Sequence, residues 1–189
     1  MKLKYEITDI QHPDNPKLFQ IRALRDIPLA IVNAGDLGGY IEHEGNLSQD
    51  GDCWIDRDAL VYDLARIYDN AHITTNVRVF ENAQVYGGAI IINAAQVFGD
   101  AHIYGRALVS ENARVFGNAM IFGNAMIFGN ASINENMKIS GDAHVSSIDQ
   151  IYYIDGFTAC LNTTDGLVVT EGWIDNIEHH KMLARLKLS

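Results

Sequence analysis

Over residues 53–148 the chain divides into sixteen consecutive hexads without a gap, and the third place of every hexad is Ile or Val. The column begins Ile55, Val61, Ile67, Ile73 and ends Ile139, Val145. An α-helix cannot produce it, because six residues turn a helix by about 600° and would scatter the column around its surface. Consecutive hairpins are excluded as well: a hexad leaves too little strand for antiparallel pairing, and the turn types do not alternate. Within each hexad the first place is usually Ala, the third is β-branched, and the second and fourth are mostly polar or aromatic. That alternation describes a short strand with a small and a large residue facing inward. Gly, Asn, Asp and Glu dominate the fifth and sixth places, and residues that accept positive φ or bond their own backbone bend the chain there. The pattern predicts an all-β parallel solenoid whose hexads stack at about 4.8 Å with identical places above one another.

The fourth place counts the sides. Tyr62, Phe80, Phe98 and Phe116 form one series at 18-residue spacing, Tyr68, Tyr86, Tyr104 and Phe122 form a second, and Asp56, Thr74, Ile92, Ser110 and Phe128 a third. Two aromatic faces and one mixed face imply a three-sided coil with 18 residues per turn. Residues 53–148 then make about five turns, a prism about 25 Å long at the strand spacing. Gly87, Gly105, Gly123 and Gly141 recur at the same interval and mark a corner that needs glycine. Asn82, Asn118 and Asn136 are spaced to stack amides at another corner. Val77 and Met137 stand in for the inner Ala in two hexads.

An open solenoid end exposes strand edges and apolar interior, so caps are expected at both ends. Residues 1–52 read as an N-terminal β cap. Residues 4–10 and 18–24 are strand-like, with His12, Pro13, Asp14, Asn15 and Pro16 turning between them, and Gly38 and Gly39 lead into Tyr40 and Ile41. Residues 149–189 read as a C-terminal cap. Residues 158–162 and 167–170 flank Thr163, Thr164, Asp165 and Gly166 as a hairpin, and Ile174, Ile177, Met182, Leu183 and Leu186 suit a helix lying on the coil.

Composition narrows the functions. The formal net charge of −10 opposes sequence-independent phosphate binding, which works by Lys and Arg displacing counterions, so direct nucleic-acid binding is not expected. The acidic excess is spread thinly over both caps and the repeat instead of forming one patch. No apolar stretch approaches the roughly 18 to 20 residues that span a bilayer, and Met1 to Tyr5 lead into Glu6 and Asp9 instead of a signal core, so no membrane association and a cytoplasmic location are expected. Cys53 and Cys160 form no CxxC pair and suit a reducing compartment as unpaired thiols.

The hexads resemble those of the hexapeptide-repeat, left-handed β-helix superfamily. More closely, Gly35-Asp36-Leu37-Gly38-Gly39-Tyr40-Ile41-Glu42, followed by Asn46-Leu47-Ser48 and Cys53-Trp54, resembles the opening of the YdcK-type β-solenoid family of bacteria and their phages. The likeness covers roughly residues 20–155. It implies the left-handed form, where the general crossover rule would give the right-handed one. It also brings in two functional expectations. The superfamily includes acyltransferases, which implies acetyl-CoA or another acyl-CoA as cosubstrate at a subunit interface; the phage members imply a counter-defence inhibitor that occupies a host protein. Fold transfers between relatives more safely than chemistry.

The residues themselves favour binding over catalysis. An acyltransferase of this class carries a general-base His near a loop leaving the coil, and no loop interrupts residues 53–148. His72, His102 and His144 hold second places and should point outward. His72 and His144 share a side four turns apart and cannot form one site; His102, with Tyr104 on its side, is the remaining candidate base. His179 and His180 follow Glu178 on the predicted helix, where neighbours diverge by about 100°, so no metal site is expected. Outward aromatic ladders, by contrast, expose apolar strips that monomers seldom leave bare. The expected protein is a non-catalytic, cofactor-free, homo-oligomeric scaffold. It binds a protein partner through Tyr62, Phe80, Phe98, Phe116, Tyr68, Tyr86, Tyr104 and Phe122.

Overall fold

The computed structural model describes residues 3–134 and 136–146 in full, and the backbone of residues 151–154, 157–162 and 166–169. Each hexad supplies one two-residue strand formed by its second and third places, from Trp54–Ile55 to His144–Val145. Strands 18 residues apart pair in parallel and in register, as Gln96 with Arg114 and Val97 with Val115 show. Three parallel sheets result. The first contains Leu60–Val61, Arg78–Val79, Gln96–Val97, Arg114–Val115 and Ser132–Ile133; the second contains Arg66–Ile67, Gln84–Val85, His102–Ile103, Met120–Ile121 and Lys138–Ile139. The third runs from Trp54–Ile55 through His72–Ile73, Ile90–Ile91, Leu108–Val109 and Met126–Ile127 to His144–Val145. The protein is a parallel β-solenoid of about six turns with roughly 18 residues per turn.

The inner columns behave as the alternation requires. Every third-place Ile and Val and every first-place Ala is buried, and Val77 and Met137 lie inside with them, at 0% and 3% exposure. Backbone N–H groups of the second and fourth places donate to carbonyls of the next coil, as in Tyr62 N to Val79 O at 3.1 Å and Phe98 N to Val115 O at 3.0 Å. These bonds hold the coils together and set the fourth-place side chains one strand spacing apart.

Corners need positive φ, and the chain meets the need in two ways. At the corner from the second to the third sheet, Gly87, Gly105, Gly123 and Gly141 have φ between 67° and 74°. A Cβ on Gly105 would lie 2.9 Å from the Gly123 amide nitrogen, so the next coil also excludes a side chain. Asp69 takes the left-handed conformation at the same corner one coil earlier, and Asp58, Asp63, Asn76, Glu81, Asn93 and Glu111 take it at the other two corners. Several of these reach along the solenoid axis: Gly87 N donates to Asp69 Oδ2 at 3.1 Å and Gly99 N to Glu81 Oε2 at 2.7 Å. The diffuse acidity of the repeat thus has a local use, as acceptors for corner amides. Asn118 Nδ2 donates to Asn136 Oδ1 at 3.1 Å, the amide stacking expected from the spacing, while Asn82 instead donates to the Asp100 carboxylate at 2.9 Å.

The N-terminal cap is an antiparallel hairpin, β1 (Tyr5–His12) and β2 (Asn15–Ala23), followed by β3 (Leu37–Ile41). β3 pairs antiparallel with β2 on one edge and parallel with Leu60–Val61 on the other, so it converts a hairpin into the top rung of the first sheet. Leu47 bridges Ile67 in parallel and starts the second sheet. A Cβ on Gly38 would fall 2.6 Å from Trp54 Cζ2, and one on Gly39 2.5 Å from Asp56 O. The pair is glycine because β3 lies directly on the coil. Lys4 is fully buried at this junction. Its ammonium donates to Cys53 O at 2.9 Å and Cys53 Sγ at 3.0 Å. Burial lowers the Lys4 pKa and raises that of Cys53, each shift partly opposed by the contact between them.

At the other end Ile151–Ile154, Phe157–Asn162 and Gly166–Val169 form an antiparallel sheet, which contains the expected hairpin. The expected helix over residues 174–188 lies outside the described residues.

Gly105→Ala should destabilise the protein by about 1–3 kcal/mol, since it adds left-handed strain to a backbone clash. Gly35→Ala, at φ 98° with nothing within 4 Å of the new methyl, should cost less. Urea midpoints of the two variants check the order.

Candidate functional site

The fourth-place amides set rings at the coil spacing, and the rings stack. Tyr62, Phe80, Phe98 and Phe116 form a ladder on the first face, with successive centroids 5.2, 4.9 and 4.8 Å apart. Tyr68, Tyr86, Tyr104 and Phe122 form a second on the next face, at 4.7, 5.0 and 5.0 Å. Interplanar angles are 1–6° throughout. An ordinary sheet twists by roughly 20–25° per strand. These ladders do not, so each face is flat along the coil. The structure brings all eight predicted ring residues together, as two separate rows.

The rows differ in surroundings. Arg114 lies over the first, its guanidinium carbon 5.3 Å from the Phe98 centroid and 5.6 Å from that of Phe116. A cation over the ring face adds attraction beyond the stacking itself. The second row is phenolic: Tyr68 Oη donates to Gln84 Oε1 at 3.1 Å, and Arg66 sits 5.9 Å from the Tyr68 centroid. Burial pushes the phenol pKa of Tyr62, Tyr68 and Tyr86 upward. A second cause for Tyr68 is the charge that Tyr86 would carry, and for Tyr86 that of Tyr104, because stacked phenolates repel.

Each row begins in a groove beside the N-terminal cap. One, of about 480 Å³, is bounded by His12, Asp14 and Asn15 of the β1–β2 turn and by Leu60, Tyr62 and Arg78. The other, of about 530 Å³, lies between Glu44, Gln49, Asp50 and the strand carrying Arg66 and Tyr68. Both are open and edged by charged side chains.

His102 occupies the second face as expected, on the same strand side as Tyr104. Its nearest ring is Tyr86, edge-on at 6.2 Å. No carboxylate or second histidine pairs with it among the described residues. His72 is the histidine with a charged neighbour: its Nε2 lies 3.0 Å from Asp56 Oδ2, an ion-pair contact whose angle falls short of a hydrogen bond. His144 stands four rungs away in the same sheet, so the two do not meet. No group of three or more metal-ligating side chains occurs among the described residues, and His179 and His180 lie outside them. No helix of the described residues is long and apolar enough to cross a membrane. The chain matches no protein-family model and no curated protein.

Reading only the fourth place missed a feature of the third face. Its second places, Ile90, Leu108 and Met126, form an aliphatic column on successive rungs. The same 18-residue comparison, applied one register earlier, identifies it.

The raised phenols carry a pH dependence with a defined sign. The folded chain holds these protons more tightly than the unfolded chain. The associated stability is therefore complete below about pH 10, the ordinary phenol value, and is lost as pH rises through the raised folded values. Denaturation midpoints followed with phenolate absorbance should show this alkaline fall, and Tyr68→Phe with Tyr86→Phe should reduce it in part, the buried Tyr5 phenol, also raised, supplying the rest.

Proposed function

We propose that this protein is a non-catalytic, oligomeric interaction scaffold that engages a protein partner through its flat aromatic faces. The observation that carries the reading is the pair of uninterrupted four-ring ladders on untwisted faces. Rings held rigidly in a row present area to a partner with little further entropy to lose, which is what binding anchors require. The grooves at the heads of the rows add polar and charged groups that orient a ligand. The hexads and the residue 35–42 motif support placing the chain beside YdcK-type β-solenoid proteins. With that placement comes a role in which a host protein is occupied, as in phage counter-defence.

Phe98→Ser with Tyr104→Ser should abolish capture of a specific partner from host cytosol while leaving the inner column intact. Unchanged capture and unchanged mass by light scattering would sink the reading.

The alternative is a hexapeptide-repeat acyltransferase with His102 as base, favoured by the repeat and by the ring of Tyr86 beside the imidazole. It requires acyl-CoA binding. Calorimetric titration with acetyl-CoA should give no heat, and His102→Ala should leave partner capture unchanged; saturable binding lost in His102→Ala would establish the enzyme instead.

A further inference from the structure

Among the described residues the third face carries no ring ladder, and its outward apolar groups form an aliphatic column in place of one. Ile90, Leu108 and Met126 occupy its second places on three successive rungs, with Ile92, Ser110 and Phe128 in the fourth places of the same strands. Ile90 is 42% exposed, and Ile92, Leu108, Met126 and Phe128 are partly buried. Phe128 stands between Ser110 and Ser146 in its column, so no ring lies above or below it. Ser110 is a depression between Ile92 and Phe128, only 7% exposed. Two exposed charges flank the middle rung: Arg106 at the corner before Leu108 and Glu111 at the corner after Ser110. Neither forms an ion pair among the described residues.

We infer that this face is covered by a second copy of the chain, the two solenoids lying side by side and pointing the same way about a two-fold axis parallel to the solenoid axis. This deepens the oligomeric part of the scaffold reading and rests on it, but not on the ladders as partner sites. Such an axis keeps equal rungs level and reverses the strand direction across the contact, so second places meet fourth places. Leu108 enters the depression at Ser110 of the second copy, Ile90 meets Ile92, and the Met126 thioether meets the Phe128 ring, a favourable pairing. Arg106 lies opposite Asn112 and one residue from Glu111 of the second copy, a gap that the two long side chains span, and symmetry makes the pair twice. At the adjoining rungs Gly88 lies opposite Ala94 and Asn124 opposite Asn130, so no like charges meet.

A two-fold along the strands through the Leu108 rung would also appose this face. It sets Arg106 against Arg106, Glu111 against Glu111, and Leu108 against Leu108 with Ser110 against Ser110. Like charges and mismatched relief both oppose it. Flatness allows the parallel arrangement to make contact over the whole length, since interplanar angles of 1–6° along the neighbouring ladders leave no twist to separate two copies.

Sedimentation equilibrium of the full chain over a concentration series tests this. The unaltered protein should be a reversible dimer, and Leu108→Asp, with an unchanged far-ultraviolet spectrum, should be monomeric. Arg106→Glu should weaken the dimer by about tenfold or more through two repulsive contacts. Adding Glu111→Arg to it should restore the affinity, a rescue that general destabilisation cannot give. A monomeric or trimeric unaltered protein, an intact dimer in Leu108→Asp, or a double variant no tighter than the single one overturns the inference. Dissociation by Phe98→Ser and Tyr104→Ser, with Leu108→Asp still dimeric, also overturns it and leaves the scaffold reading standing, with the self-contact moved to a ladder.

Discussion

Each inner Ile or Val sits on another 18 residues away, and the amides beside it donate to the next coil, so register and burial are one constraint. A slip by one residue would turn the column outward and bring polar side chains into a core with no room for them. A slip by a whole hexad would preserve the inner column but set each face over a different face and each corner over a different corner, breaking both ring series. The corner glycines oppose that, because a Cβ on Gly87, Gly105 or Gly123 would fall within 3 Å of the backbone of the next coil. Inner column and corner column together leave one way to stack.

The outer faces follow from that stacking. Once the fourth places are separated by one strand spacing, aromatic residues at every coil have no choice but to pack plane to plane, and an untwisted ladder results. Cross-strand ring pairs of this kind contribute about 0.2–1 kcal/mol each. The first and second faces therefore stabilise the coil whether or not anything binds them. The third face lacks that option, since Phe128 is the single ring of its fourth-place column and stands between Ser110 and Ser146. Its aliphatic column gains by meeting another surface, and the same geometry that makes the ladders flat makes that surface a flat one.

The ends are handled by different physics. At the N-terminal end, β3 borrows the edge of the first sheet for its parallel partner and keeps β2 on its other edge, so the exposed rung becomes an interior strand of a mixed sheet. The buried Lys4 ammonium satisfies a carbonyl and a thiol at Cys53, where the chain passes from cap to repeat. Acidic residues along the corners serve as acceptors for left-handed amides one coil away. A negative protein with no concentrated acidic patch is the expected outcome of such a use.

The hexads by themselves determined the parallel solenoid, its three sides, the inner column and the two ring series, because an 18-residue period admits few folds and each place in it has one environment. They also located the glycine corner and the hairpins of both caps. What they could not determine was set by contacts across long sequence separations. The insertion of β3 as the first rung depends on pairing with both β2 and Leu60–Val61. The Lys4–Cys53 contact joins positions 49 residues apart. The flatness of the faces and the relief of the third one, with Leu108 raised and Ser110 sunk, emerge only when coils are stacked. A period states which side chains share a face, and the stacking decides what each face leaves uncovered.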